Sequence, residues 1–389
     1  MSDKKKRSKQ QGELVNPKYL DKNIKHAPTA NKVQCWSGGD DYQPIELATQ
    51  RLKEMFVEMG QKTRIERGQK PAERAVFRKQ HGIVYGTFEV HGKLDKALQK
   101  GVFAKPESYD CVVRFSSDTT PESPDLHTTL GVGIKLFGVK GQKLLGDSDN
   151  VDFIMQNIDR FFARDASQMC AFTTAGVINR DYPAYLKKHP KTAAVLDAMT
   201  KVEASCLSAH YWAILPFKLG EQNAVKYRIR PVDTYRGAPA QGNNYLADDL
   251  QIRLRQGEAK FVFEIQRRPA NASEEDFPID NAMVVWPEDQ APFEPVATLT
   301  LPQQDVCAIG QAEFGRNLAF NIWRTLADNE PLGSIAQARK VVYQASADTR
   351  HQANGQQMNE PDAIDPKFTG NTDEDSTCIV RAGIYPPLG

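Results

Sequence analysis

No stretch of about 18 apolar residues, the length a membrane span requires, occurs in this sequence of 389 residues. An excess charge of one sign is also missing, since 50 Lys and Arg face 49 Asp and Glu. That balance predicts no nucleic-acid partner, which would require a basic face, and there is no acidic tail either. The six cysteines (Cys35, Cys111, Cys170, Cys206, Cys307 and Cys378) contain no CxxC pair. This spacing argues against a zinc site and a disulfide scaffold, and the simplest expectation is reduced thiols in the cytoplasm. The start, MSDKKKRSKQQGE, is basic, but no apolar segment follows it. It therefore reads as neither signal peptide nor anchor, and the KKKR run reads as a solvated end. Internal repeats and low-complexity tracts are lacking too.

What remains is a globular composition: 40% apolar residues, mean hydropathy −0.54, and 23 Pro with 26 Gly to make many loops. Residues 1 to about 40 read as a polar arm. From Pro44 to Met59, Ile45, Leu47, Leu52, Met55, Phe56 and Met59 follow a helical period. Short β-branched and aromatic runs bounded by Gly, Pro or Asp then predict strands over 81–91, 109–117, 131–138, 211–219, 225–232, 260–268 and 296–301. Helices are expected over about 166–201, broken at Pro183 and Pro190, and over 245–256, closed by Gly257. Many strands with helical insertions predict an α+β class built on an antiparallel β-barrel. The expected organisation is an arm and helix over 1–69, a barrel core over 70–352 and a polar, mobile tail over 353–389.

One spacing carries chemistry. The segment GSIAQARKVVY follows Pro331, and Ser334 can cap a helix there. On that helix Arg339 and Tyr343 lie four apart on one face. A free tyrosine titrates near 10, so it is a poor metal ligand at neutral pH. A neighbouring guanidinium together with ferric iron favours the phenolate. Other motifs fail: Gly131-x-Gly133 lies within a strand and is no dinucleotide fingerprint. His26, His91, His127, His189, His210 and His351 have no motif behind them and read as surface or core residues.

In these residues the chain resembles the haem catalase family, in particular its small, catalase-related members. The family pattern R-x-x-x-Y with an Arg seven residues further on is met by Arg339, Tyr343 and Arg350. VVRFSS from Val112 resembles the family's VRFS strand, and GVGIKLF from Gly131 its GFAVKF strand. NIDRFFARD from Asn157 is similar to NTPVFFIRD. Further short matches keep the family order, so the resemblance covers about residues 70–352. It implies haem b, with Tyr343 as the proximal iron ligand on a C-terminal haem-ligand helix and Arg339 as its charge partner. Arg114 and Arg350 would lie by the propionates, Phe161 and Phe162 would wall the haem, and Asn157 would act on its distal side. It also implies a small peroxide as substrate and, by analogy alone, a homo-oligomer.

The departure is distal. Where the family has R-V-V-H-A-K, this chain has RAVFRK, so Arg74 matches the family arginine and Phe77 stands in place of the distal histidine. His81, four residues on, is the alternative acid–base group. General acid–base help is worth about 10²–10⁴ in rate. Three readings follow: a catalase or peroxidase acting on hydrogen peroxide or organic peroxides, a haem enzyme that rearranges hydroperoxides, or a non-catalytic haem-binding protein.

Overall fold

The computed structural model describes residues 43–235, 237–308 and 310–364. The expected N-terminal arm with its KKKR run, and the end of the expected tail, lie outside these residues. The strands are β1 (Lys79–Val90), β2 (Ser108–Ser117), β3 (Leu130–Leu136), β4 (Val151–Gln156), β5 (Tyr211–Trp212), β6 (Phe217–Leu219), β7 (Asn223–Pro231), β8 (Ala259–Arg267) and β9 (Phe293–Leu301). They run antiparallel in the order β5-β4-β3-β2-β1-β9-β8-β7, and β5 pairs back onto β7. The result is a closed eight-stranded antiparallel barrel, with β6 added to β7, in an α+β fold. Closure removes the unpaired sheet edges that would otherwise invite aggregation.

The sequence predicts one strand over 211–219, but the chain is divided there. Pro216 cannot donate to a ladder, and the segment becomes β5 and β6 on separate stretches of β7. The strand β4 was not anticipated, because VDFIMQ lacks a clear alternation of apolar and polar residues. Its apolar Ile154 faces a cavity outside the barrel.

Inside the barrel the alternate side chains meet. Phe88, Phe153, Tyr227 and Phe263 are buried and pack with Phe103, ring centroids lying 4.9 Å apart for Phe153 and Phe263 and 5.2 Å for Phe88 and Phe263. Tilted aromatic pairs of this kind contribute about 0.5–1.5 kcal/mol each beyond their burial. The barrel interior is thus a packed core, and any site must lie on its outer face.

The helices are α1 (Ile45–Lys53), α2 (Thr63–Glu66), α3 (Ala166–Val177), α4 (Tyr182–Lys188), α5 (Pro190–Met199), α6 (Tyr245–Gln256), α7 (Gln311–Asn317) and α8 (Ser334–Ala353). A π-helical stretch, Glu54–Lys62, joins α1 to α2. Of the expected stripe, Leu52 of α1 and Met55 of the π-helical stretch are buried, joined by Ala48 and Val57, which the period did not include, in a cluster with Ala338 and Val342 of α8 and Ala166 and Cys170 of α3. Ile45, Phe56 and Met59 are partly buried against it. Gln61 ties the π stretch to both sides by donating to the carbonyls of Glu73 (2.8 Å) and Ser346 (3.0 Å).

The start of α8 differs from expectation. Ser334 is its first residue rather than its cap, and both its N–H (2.7 Å) and its hydroxyl (2.8 Å) donate to the carboxylate of Asp280. The chain beyond α8 also departs from a mobile tail as far as residue 364. Glu360 Oε2 accepts from Lys135 Nζ at 2.7 Å, and its Oε1 pairs with Arg324 Nη2 at 2.7 Å. Lys135 and Arg324 in turn both bind Asp152 on β4. Polar composition concealed a buried tether. The expectation of reduced thiols fails at Cys307, which is disulfide-bonded. Cys111 and Cys206 are buried free thiols. Among the described residues, no helix is long and apolar enough to cross a membrane.

Candidate functional site

A cleft separates the outer face of β2–β4 from helices α1, α3 and α8. Its wide end has a volume of about 670 Å³ and a mostly apolar lining that includes Met55, Met155, Phe161, Phe162, Phe172 and Trp212. Its narrow end, about 110 Å³, is lined by Arg74, Arg114 and Arg350. Tyr343, Val342 and Phe77 line both, so the two adjoin.

Helix α8 supplies one wall. The i,i+4 spacing works as expected: the Arg339 guanidinium lies over the Tyr343 ring, 4.9 Å from its centroid. Arg339 Nε is buried with no hydrogen-bond partner among the described residues. Arg350, two turns beyond Tyr343, is 2% exposed and donates to the carbonyls of Leu318 (3.0 Å) and Asn317 (3.4 Å).

Arg114 reaches the same end from β2, donating to Gln80 Oε1 (3.2 Å) and to the Phe77 carbonyl (3.0 Å). Arg74 arrives from the segment before β1 and donates to the carbonyls of Gly315 (3.1 Å) and Leu318. Among the described residues, none of these three arginines has a carboxylate at ion-pair distance. Burial, and then Arg350, holds Arg114 down at about 9, and burial holds Arg350 at about 10. Burial, Arg114 and Arg350 together push Arg74 well below its ordinary value. Three mutually repelling, desolvated cations form a seat for anionic oxygens, and Arg350 Nε remains buried without a partner.

The barrel wall is chemically bare. Gly131 of β3 faces the Phe77 ring so closely that a Cβ there would lie 2.6 Å from it, and a Cβ on Gly133 would lie 3.1 Å from the Phe320 ring. Phe77 has a left-handed backbone, φ 51°, which costs a non-glycine residue about 1–3 kcal/mol. The Arg114 bond to its carbonyl and the ring seat on Gly131 hold it there. Phe161 and Phe162 stack with centroids 4.2 Å apart at the wide end.

Two expected site residues are not brought to the cleft. Asn157 accepts from the Leu130 N–H (2.9 Å) through Oδ1 and donates to Glu203 (3.1 Å) through Nδ2. His81 is 3% exposed, lines neither end, and has both ring nitrogens buried without a hydrogen bond among the described residues. Burial, then Lys79 and Arg114, holds its pKa at about 3, so it is neutral at physiological pH. The histidine that does line the cleft is His127, exposed at the wide end with φ 55°. Gln156, next to Asn157 and absent from the sequence expectations, also lines the wide end. The outward alternation of Asp152, Ile154 and Gln156 along β4 was the signal that could have found it.

No protein-family model matches the chain, and no curated protein matches it in sequence. Solved structures do. A fungal catalase superposes with a TM-score of 0.59 at 20% identity, covering 74% of this chain and 61% of that one. Catalase A from Saccharomyces cerevisiae gives 0.58 at 20%, covering 75% and 65%. A bacterial catalase gives 0.59 at 16%, covering 94% and 75%. The match to the two fungal proteins thus spans less than two thirds of their length. The closed antiparallel barrel agrees with these neighbours, and the chain has a catalase-like fold.

Proposed function

We propose that this chain binds haem b in the cleft, with Tyr343 as the axial ligand, and acts on a peroxide. The observation that carries this reading is the arginine seat. Buried cations without counter-ions are costly unless an anion completes them, and a porphyrin bearing two carboxylates would do so. The rest of the lining suits the same group. Gly131 and Gly133 seat the Phe77 and Phe320 rings against the barrel, the wide end offers apolar walls, and the Tyr343 oxygen offers a ligand.

Each residue then has a task. Arg74, Arg114 and Arg350 would hold the propionates. Arg339, whose guanidinium lies over the Tyr343 ring, would stand beside that ligand. Phe161 and Phe162 exclude water. The haem, when bound, supplies the redox chemistry that splits a peroxide bond.

Phe77 favours a second reading, a haem-binding protein that reacts only slowly with peroxide. The barrel wall beside it carries no group able to move a proton at neutral pH, and acid–base help of about 10²–10⁴ would be missing. Oxygen evolution by the haem-loaded protein separates the two. Evolution that is lost in Tyr343→Phe supports the enzyme, whereas no turnover of hydrogen peroxide or an organic peroxide supports the second reading.

A further inference from the structure

We infer that Gln156 is the residue that hydrogen-bonds a ligand on the barrel side of the cleft, in the role sequence similarity assigns to Asn157. The inference rests on the haem reading above. In the β3–β4 ladder Gln156 lies directly opposite Gly131, the residue on which the Phe77 ring is seated. Directly opposed residues present their side chains on the same face of a sheet. Gln156 therefore stands beside Phe77, on the wall that faces Tyr343 across the cleft.

Some of the other polar groups of the lining are already committed. The hydroxyls of Thr129, Thr173 and Thr200, which also line the wide end, donate to the carbonyls of Met199 (3.2 Å), Met169 (2.7 Å) and Asp197 (2.7 Å). Asp118 accepts from the Thr128 hydroxyl (2.8 Å) and the Thr129 N–H (3.1 Å). The Asn157 amide is fully committed to Leu130 and Glu203. Gln156 is 7% exposed, and its side chain makes one long contact among the described residues, 3.4 Å from Nε2 to the Arg160 carbonyl. A buried primary amide has two donors and an acceptor, and leaving them unmade is unfavourable. A ligand oxygen or an anion in the cleft would take them. The amide can orient such a ligand by donating to it but cannot accept its proton, so it is a binding group and no base.

Fluoride is the probe, because it binds ferric haem as an anion stabilised by donors near it. The haem-loaded protein is titrated with fluoride alongside Gln156→Met, which keeps the shape and removes the donor. Fluoride affinity should fall about tenfold in Gln156→Met while haem is taken up in the same proportion. Equal fluoride affinity with full haem uptake overturns the inference. Gln156→Glu decides independently if the first variant does not fold: a carboxylate facing fluoride at pH 7 should weaken binding by at least as much, and unchanged affinity again overturns it. Failure of the unsubstituted protein to take up haem overturns the haem reading instead, and is seen before any fluoride is added.

Discussion

Helix α8 brings Arg339, Tyr343 and Arg350 to the cleft within about three turns, whereas the barrel strands opposite offer Gly131 and Gly133 beneath the Phe77 and Phe320 rings. Arg339 and Arg350 on the helix side have no carboxylate at ion-pair distance among the described residues. Among the described residues Arg114 is the one titratable side chain that the barrel strands bring to the cleft, and His81 on β1 is buried away from it. Holding a cofactor and moving a proton are separable tasks, carried by different elements. Under the proposed function the first task falls to the arginine seat and Tyr343, and the second has few groups to serve it.

The contrast can be broken by restoring what the barrel side lacks. Phe77→His in the haem-loaded protein should raise peroxide turnover by about 10²–10⁴. Histidine also tolerates the left-handed backbone at that position better than phenylalanine does. A rate that stays unchanged with haem still bound would show that proton transfer is not what limits this wall.

His81 sharpens the comparison from the other direction. Its folded-state value of about 3 lies below the ordinary 6.5. Between those values the unfolded chain takes up a proton that the native state refuses, so stability is lost as pH falls through that window. The loss should reach roughly 3 kcal/mol at pH 4 and should largely vanish in His81→Leu, as read by urea unfolding at pH 7 and pH 4. An acid response that survives the substitution in full would assign it to other groups and contradict this reading of His81.

On the helix side, Arg350→Met should weaken haem binding about ten- to hundredfold. Without haem the same change should cost little stability, within about 1 kcal/mol, because it also relieves repulsion from Arg74 and Arg114. A structural arginine would behave the other way round, with a large loss of fold stability and haem affinity unchanged.

The helix side was legible in the sequence because its residues are local. Arg339, Tyr343 and Arg350 lie on one helix, and helical spacing converts directly into a shared face. Arg114 was legible through its strand motif. The barrel side depends on register, and one residue of register changes which face a side chain takes. The expectation fell on Asn157 through the resemblance of its segment, while the cleft is lined by Gln156 beside it. The tether at Glu360 was hidden for a different reason. Its partners Lys135 and Arg324, and the Asp152 they share with it, are remote in sequence, and nothing in a polar segment announces a buried ion-pair network. The π-helical stretch Glu54–Lys62 was equally silent, since its apolar spacing reads as an ordinary helix.

The most direct test of the account is a titration of the purified protein with ferric haem, followed by absorption and repeated on Tyr343→Phe. The account predicts saturable uptake of one haem per chain with the absorption of a phenolate-bound ferric iron, and loss of that phenolate signature in Tyr343→Phe. Absence of saturable uptake, or an identical spectrum in the two proteins, would contradict it.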